Sequence, residues 1–360
     1  MSYYSSPTPF HLITINSSLT IIIMNKMKPH ELAEYLTYCI ERGYPVLVTG
    51  KPGIGKTDVI ASAALAAKAD LIISHPVVSD PTDYKGLPFP NKEATAADFL
   101  PYGDLRKLLT AKKKTVFFMD DFGQAPHAVQ AAIMQLLLLR EINGQKISDK
   151  IVFILATNRR EDNAGVAGIL DPIKSRCMSI IEMQVDHEDW VKWAIVNNMP
   201  VELIAFVRWM PKIIEDDYPA TKKIENTPSP RTITHVGTQQ ANKLAEKFFP
   251  SVFAGAAGPA FGTQYCAFLD NYKQLPSLDD IIKDPVNIAL PANISMQYAI
   301  TGGLAKRMSD TNIDAIVQFL HRLKPELSFA CMTDARTRNP KICENRAYAL
   351  WAQKIHSNII

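Results

Sequence analysis

Residues 50–57 read Gly50-Lys51-Pro52-Gly53-Ile54-Gly55-Lys56-Thr57, which fits the pattern G-x-x-x-x-G-K-[ST]. Context decides what such a match means. Upstream, PVLVTG (45–50) is a short apolar run that ends in glycine, the mark of a buried strand. Downstream, the residues from Asp58 onward carry a helical pattern. A strand that enters the loop and a helix that leaves it make the motif a phosphate-binding P-loop. The glycines let backbone N–H groups curl around phosphate oxygens, and the helix N-terminus adds partial positive charge. The candidate nucleotide-binding residues are therefore Gly50, Pro52, Gly53, Ile54, Gly55, Lys56, Thr57 and Asp58. Lys56 is expected on the β- and γ-phosphates, and the Thr57 hydroxyl on Mg²⁺.

Moving outward, four more apolar runs have strand character: DLIIS (70–74), TVFFMD (115–120), IVFILATN (151–158) and MSIIEM (178–183). Helical patterns separate most of them, notably PHAVQAAIMQLLLLRE (126–141), and another, HELAEYLTYCIERG (30–43), precedes the first strand. Five apolar strands alternating with helices predict an α/β fold with a parallel five-stranded sheet covered on both faces. Two of these strands end in polar groups suited to phosphate chemistry. TVFFMDD closes with Asp120, expected to hold Mg²⁺, and Asp121, expected to handle the attacking water. Asn158 closes the next buried run, where an amide can orient that water. Arg176 stands just before the fifth strand in ILDPIKSRCMSII, where an arginine could project from a subunit edge into a neighbour's nucleotide. Arg231 follows Ser229, an N-cap, and Pro230 at the first helical position, so it sits in the first turn of a lid helix.

With these residues in this order, the chain resembles the AAA+ ATPases, and within them the MoxR-like group and its phage or prophage members. The segments that carry the likeness are GKPGIGKT, HPVVSDPTDYKGLPFP, MDDFGQAPHAVQAAIMQLLLLREING, ATNRREDNAGV and TPSPRT, spread over about residues 28–249. By similarity, Lys56 and Thr57 are Walker A residues, Asp120 and Asp121 Walker B, Asn158 sensor 1, Arg176 the arginine finger and Arg231 sensor 2. The resemblance implies a P-loop NTPase sheet of order 5-1-4-3-2 and a helical lid. It also implies a homo-oligomeric ring, usually a hexamer, with ATP and Mg²⁺ at subunit boundaries. The family usually has Glu as the second Walker B acid; Asp121 is one methylene shorter, which implies a regulated or weak ATPase. SDPTDYKGLPFP resembles this clade's insert in its second helix. REINGQKI (140–147), with its Asn143-Gly144 hairpin signal, resembles the hairpin before sensor 1. Both are expected to face a substrate.

Composition sets the outer bounds. A chain of 360 residues has room for two domains or three. With 47% hydrophobic and 21% charged residues it is neither disordered nor collagen-like. Lys plus Arg is 39 against 36 for Asp plus Glu, and a net charge of +3 does not by itself imply nucleic acid. Lys112-Lys113-Lys114, the longest basic run, reads as a solvated helix end or loop. Five scattered cysteines (Cys39, Cys177, Cys266, Cys331, Cys343) without a CxxC pair predict a reduced, cytoplasmic protein without zinc, in a bacterial host if the chain is phage-encoded. Residues 12–24 are apolar but too short to span a bilayer, so no membrane is expected. The expected organisation is an N-terminal appendage, or sequence upstream of a start near Met24 or Met27 (1–27), an ATPase core (28–185), a helical lid (186–250) and a C-terminal helical extension (251–360). Residues 76–101, with five prolines, read as a long irregular insertion. Three functions stay open: a remodelling ATPase acting on a protein client, a nucleic-acid motor or loader, and a ring whose assembly nucleotide sets. The resemblance favours the first and implies a partner with a von Willebrand factor A domain. Against the second stands the absence of a basic stripe or an appended DNA-binding motif.

Overall fold

The computed structural model describes residues 25–162, 164–216, 218 and 223–357. The expected N-terminal appendage therefore lies, up to residue 24, outside the described residues. The strands are β1 (Lys26–Met27), β2 (Val46–Thr49), β3 (Asp70–Ser74), β4 (Leu87–Pro90), β5 (Ala97–Leu100), β6 (Thr115–Met119), β7 (Glu141–Ile142), β8 (Gln145–Lys146), β9 (Ile151–Thr157) and β10 (Ser179–Met183). Six of them pair in one parallel sheet of order β1-β10-β2-β9-β6-β3. Without β1 this is the order 5-1-4-3-2. The expected five strands are thus corrected to six. Lys26 pairs with Glu182 and Met27 with Met183, and the backbone N–H of Gln184 donates to Met27 O at 2.9 Å. A two-residue strand is too short to show period-two alternation, which is why the pattern misses it.

The helices are α1 (Pro29–Arg42), α2 (Lys56–Ala66), α3 (Thr82–Lys85), α4 (Gly103–Thr110), α5 (His127–Leu139), α6 (Asp171–Lys174), α7 (His187–Val196), α8 (Val201–Trp209), α9 (Lys212–Glu215), α10 (Pro230–Ala241), α11 (Phe249–Ala257), α12 (Pro259–Tyr272), α13 (Leu278–Lys283), α14 (Ile294–Arg307), α15 (Ile313–Leu320), α16 (Pro325–Arg338) and α17 (Arg346–Ser357). Alternation along each strand divides its side chains between two layers. Val46, Val48, Val116, Phe118, Val152 and Ile154 pack on α1 and α2 through Leu32, Leu36, Ile40 and Ile60. Leu47, Phe117, Met119, Phe153 and Leu155 pack on α4 and α5 through Leu105, Leu108, Val129 and Ile133. Burying each such side chain contributes about 1.5–3 kcal/mol. The sheet lies between two apolar layers, which fix the C-terminal ends of its strands at one edge.

Two local expectations change. The segment 76–101 is not wholly irregular. It contains α3 and an antiparallel hairpin in which Leu87 faces Leu100 and Phe89 faces Asp98. Pro88 and Pro90 are tolerated because a two-stranded ribbon has only edge strands. The spacing of RTITHVGTQQANKLAEKFF predicts a helix over 231–249, but the helix stops at Ala241, and Lys243 beyond it takes a left-handed conformation (φ 61°). By contrast, Asn143 (φ 49°) and Gly144 (φ 80°) form the tight turn between β7 and β8 that their sequence predicts.

After β10 the fold is helical. One apolar cluster gathers Trp190, Phe206, Val236, Phe253, Phe261 and Tyr265, and extends to Met296 and Ala299. A second gathers Ile300, Leu304, Ile316, Leu320, Met332 and Trp351. Helix α14 contributes to both, and so joins the last helices to the rest. Among the described residues no helix is long and apolar enough to cross a membrane.

Candidate functional site

The strands run parallel, so Gly50, Asp120 and Asn158 follow β2, β6 and β9 at the same edge of the sheet. The loop after β2 turns through Gly53 (φ 76°) and Gly55 (φ 94°), a region that side-chain-bearing residues rarely enter. Lys56 begins α2 and turns back into the loop. Its Nζ donates to Gly50 O (2.9 Å), Lys51 O (2.8 Å) and Asn158 Oδ1 (2.8 Å). Lys56 is 7% exposed, and burial pulls its ammonium down to about 8 against the opposing pull of Asp120 and Asp121. The Thr57 hydroxyl donates to Asp120 Oδ2 at 2.8 Å, and Asp120 Oδ1 accepts from the backbone N–H of Asp121 at 2.9 Å. Asp121 takes a left-handed conformation (φ 51°), which Asp tolerates better than most residues, and its Oδ1 accepts from Asn158 Nδ2 at 3.2 Å. One hydrogen-bonded set therefore joins the P-loop, both carboxylates and the strand-end amide.

Above this set lies a cleft of about 540 Å³. Its floor is Pro52 to Asp58 with Asp120, Asp121 and Asn158, and Arg231 and Thr234 of α10 form one side. Ser229 caps α10 by accepting from Thr232 N at 3.2 Å, and Pro230 takes the first helical position, as their order predicts. The Arg231 N–H donates to Gly53 O at 3.0 Å. A Cβ on Gly53 would come within 3.2 Å of Ser229 Oγ, so the glycine is what lets α10 close onto the loop. Arg176 is the one candidate outside this set. It lies between α6 and β10, its guanidinium bonds Pro172 O, and it does not line the cleft.

The far end of the cleft holds residues that sequence reading misses: Asp186, Asp189, Trp190, Trp193 and His235. Asp186 caps α7 by accepting from Asp189 N (2.9 Å) and pairs with Lys28 Nζ (2.8 Å). Burial pushes its carboxyl up, but Lys28 and the N–H of Asp189 outweigh this and hold it below the usual range. Asp189 Oδ2 accepts from the His30 backbone N–H (3.0 Å) and lies 2.7 Å from His30 Nδ1. These contacts fasten the start of α1 to the start of α7. The available signal was the acidic run DHED opening a helix, which marks an N-terminus but names no partner.

A P-loop ahead of a parallel sheet of this order, with two acids and an amide on adjacent strand ends, defines a P-loop AAA+ fold. Residues 46–185, under half of the chain, match the family "ATPase family associated with various cellular activities (AAA)". No curated protein matches the chain. Among solved structures, the Thermotoga maritima RuvB Holliday junction branch migration motor is 19% identical over 81% of this chain and 85% of its own, with a TM-score of 0.38. The replication initiator DnaA bound to AMPPCP and single-stranded DNA is 15% identical over 91% of this chain and 92% of its own (TM-score 0.37). NtrX from Brucella abortus is 10% identical over 91% and 67% (TM-score 0.38). Likeness at this level says nothing about substrate.

Proposed function

We propose that this chain is a MoxR-like AAA+ ATPase, phage-type in its motifs, that hydrolyses ATP in a homo-oligomeric ring and uses the energy to remodel a partner protein. The observation that carries the nucleotide reading is the bonded set Lys56–Asn158–Asp121 with Thr57–Asp120, lying under the helix that bears Arg231. The donors fit nucleotide: a buried ammonium among backbone groups, and a hydroxyl beside a carboxylate, the oxygen set that Mg²⁺ prefers. When bound, Mg²⁺ neutralises charge on the β- and γ-phosphates. In this reading Lys56 holds those phosphates, and Thr57 and Asp120 hold the ion. Asp121 accepts the proton of the attacking water, which Asn158 orients, and Arg231 reaches the γ-phosphate from the lid. Arg176 serves the neighbouring subunit's site, in keeping with its absence from its own cleft. The core spans 28–185, the lid 186–250 and the extension 251–360.

A protein client is supported by the inserted hairpin. Leu87, Phe89, Phe99 and Leu100 are all exposed there, and the side chain of Asn143, at the tip of the second hairpin, bonds Lys85 O just ahead of it. A hairpin that presents apolar side chains, braced by a second and polar hairpin, suits an unfolded or loosely folded polypeptide. A partner with a von Willebrand factor A domain belongs to the same proposal. The test is ATP turnover by the purified protein, alone and with a permanently unfolded polypeptide or single-stranded DNA. Stimulation by the polypeptide and not the DNA is expected. Stimulation by DNA alone would replace the remodelling reading with a nucleic-acid motor. A protein that assembles with nucleotide but never turns it over would be a structural ring.

A further inference from the structure

Four charged residues in succession, Asp186 to Asp189, open α7, and their contacts diverge. Asp186 and Asp189 hold the start of α1, as described above. His187 Nδ1 lies 2.6 Å from Glu215 Oε1 at the end of α9. Glu188 serves two partners: its Oε1 lies 3.4 Å from His187 Nε2, and its Oε2 accepts from Arg208 Nη2 of α8 at 3.3 Å. The same nitrogen donates to Asp334 Oδ1 of α16 at 2.7 Å. Arg208 is 8% exposed and Asp334 3%. A chain of charged contacts thus runs from the C-terminal helices to the helix that carries Asp189, Trp190 and Trp193 in the cleft wall.

Two features set this chain apart from ordinary packing. A buried ion pair is seldom more stabilising than the apolar residues that could replace it, and its best-attested use is to fix one arrangement. Arg208 also sits among apolar neighbours on α8, where an aliphatic side chain would fill the space. Second, one nitrogen of Arg208 serves both acids, while its Nε and that of Arg338, one turn beyond Asp334, lie buried without a hydrogen-bond partner among the described residues. A guanidinium with a donor to spare can move its share between two carboxylates without leaving either.

We propose that Asp334, acting through Arg208 and Glu188, positions α7 as a wall of the nucleotide cleft, so that the C-terminal helices set nucleotide affinity. This rests on the nucleotide reading of the cleft. All three are positioning residues; none lines the cleft. Coupling of this kind is reciprocal: a partner that grips the extension changes nucleotide affinity, and nucleotide changes the grip.

The experiment titrates the full chain with a fluorescent ADP analogue and Mg²⁺, and measures KM, kcat and Tm. Asp334→Asn and Glu188→Gln are expected to weaken affinity and raise KM by about five- to tenfold, with kcat changed less than about twofold. Cys331→Ala, buried on the same helix but outside the charged chain, controls for loosened packing; it should lower Tm and leave affinity alone. Wild-type affinity in both charge variants, or equal weakening by Cys331→Ala, overturns the proposal. If Asp334→Asn does not fold, Glu188→Gln decides, since that side chain is 47% exposed. If the wild-type protein binds no nucleotide at all, the reading of the cleft falls and the proposal with it; failure in the variants alone leaves that reading standing.

Discussion

Lys56 shows how burial becomes a pH dependence. Its ammonium titrates near 8 in the folded protein, while phosphate oxygens favour the charged form. Nucleotide binding should therefore take up a proton as pH rises through 8, and affinity should be full well below pH 8 and fall by up to about tenfold per unit well above it. Calorimetric titrations in buffers of different ionisation enthalpy measure that uptake; none at pH 8.5–9 would mean that Lys56 does not meet phosphate. Lys56→Ala should cut turnover by about 10²–10³-fold with the circular dichroism spectrum retained. Asp121 makes a second test. Because it carries one methylene less than Glu and is tied to Asn158, Asp121→Glu should match or exceed wild-type turnover. Asp121→Asn should keep MgATP affinity and lose about 10²–10⁴ in rate. Full activity in Asp121→Asn would assign the base elsewhere.

Elements differ in how far the sequence announces them. The P-loop was readable because glycines at 53 and 55 mark backbone turns that other residues resist, and because apolar runs flank the loop. Asn143-Gly144 was readable for the same reason. The far wall of the cleft was not. Asp189 meets His30, and Glu188 meets Arg208, through contacts between residues distant in the chain, to which periodicity is blind. Arg208 did leave a trace, as a cation in VELIAFVRWM, which is otherwise apolar after Glu202, but nothing nearby names Asp334 as its acid. At this scale His187 offers a further test. Hydrogen bonding to Glu188, then to Glu215, raises its imidazole to about 9, above the unfolded value near 6.5. Its contribution to stability is complete below about pH 6.5 and lost as pH rises through 9. The Tm deficit of His187→Gln should accordingly be larger at pH 6 than at pH 9.5; an equal deficit at both would remove the charged histidine from the joint.

On the scale of the whole molecule, the ring can be tested through Arg176, which is absent from its own chain's cleft. Arg176→Ala should bind MgATP nearly normally and hydrolyse it about 10³–10⁵-fold more slowly. Mixed with Lys56→Ala, it should regain part of the activity, because only mixed assemblies pair an intact Lys56 with an intact Arg176. No recovery despite measured subunit exchange would put Arg176 to work within its own chain. The two-residue strand β1 bears on the molecule's margin. Asn25 O accepts from Glu182 N at 2.8 Å, and Lys26 pairs with Glu182 at 3.3 Å. A truncation that begins at Met24 keeps both contacts; one that begins at Met27, three codons later, discards them, keeps only the bond from Gln184 N–H to Met27 O, and bares more of the flank of β10. The shorter polypeptide should melt lower, by an amount equivalent to about 1 kcal/mol, and should self-associate more readily through its unmasked strand. The edge strand thus makes the choice between two neighbouring methionines a thermodynamic one.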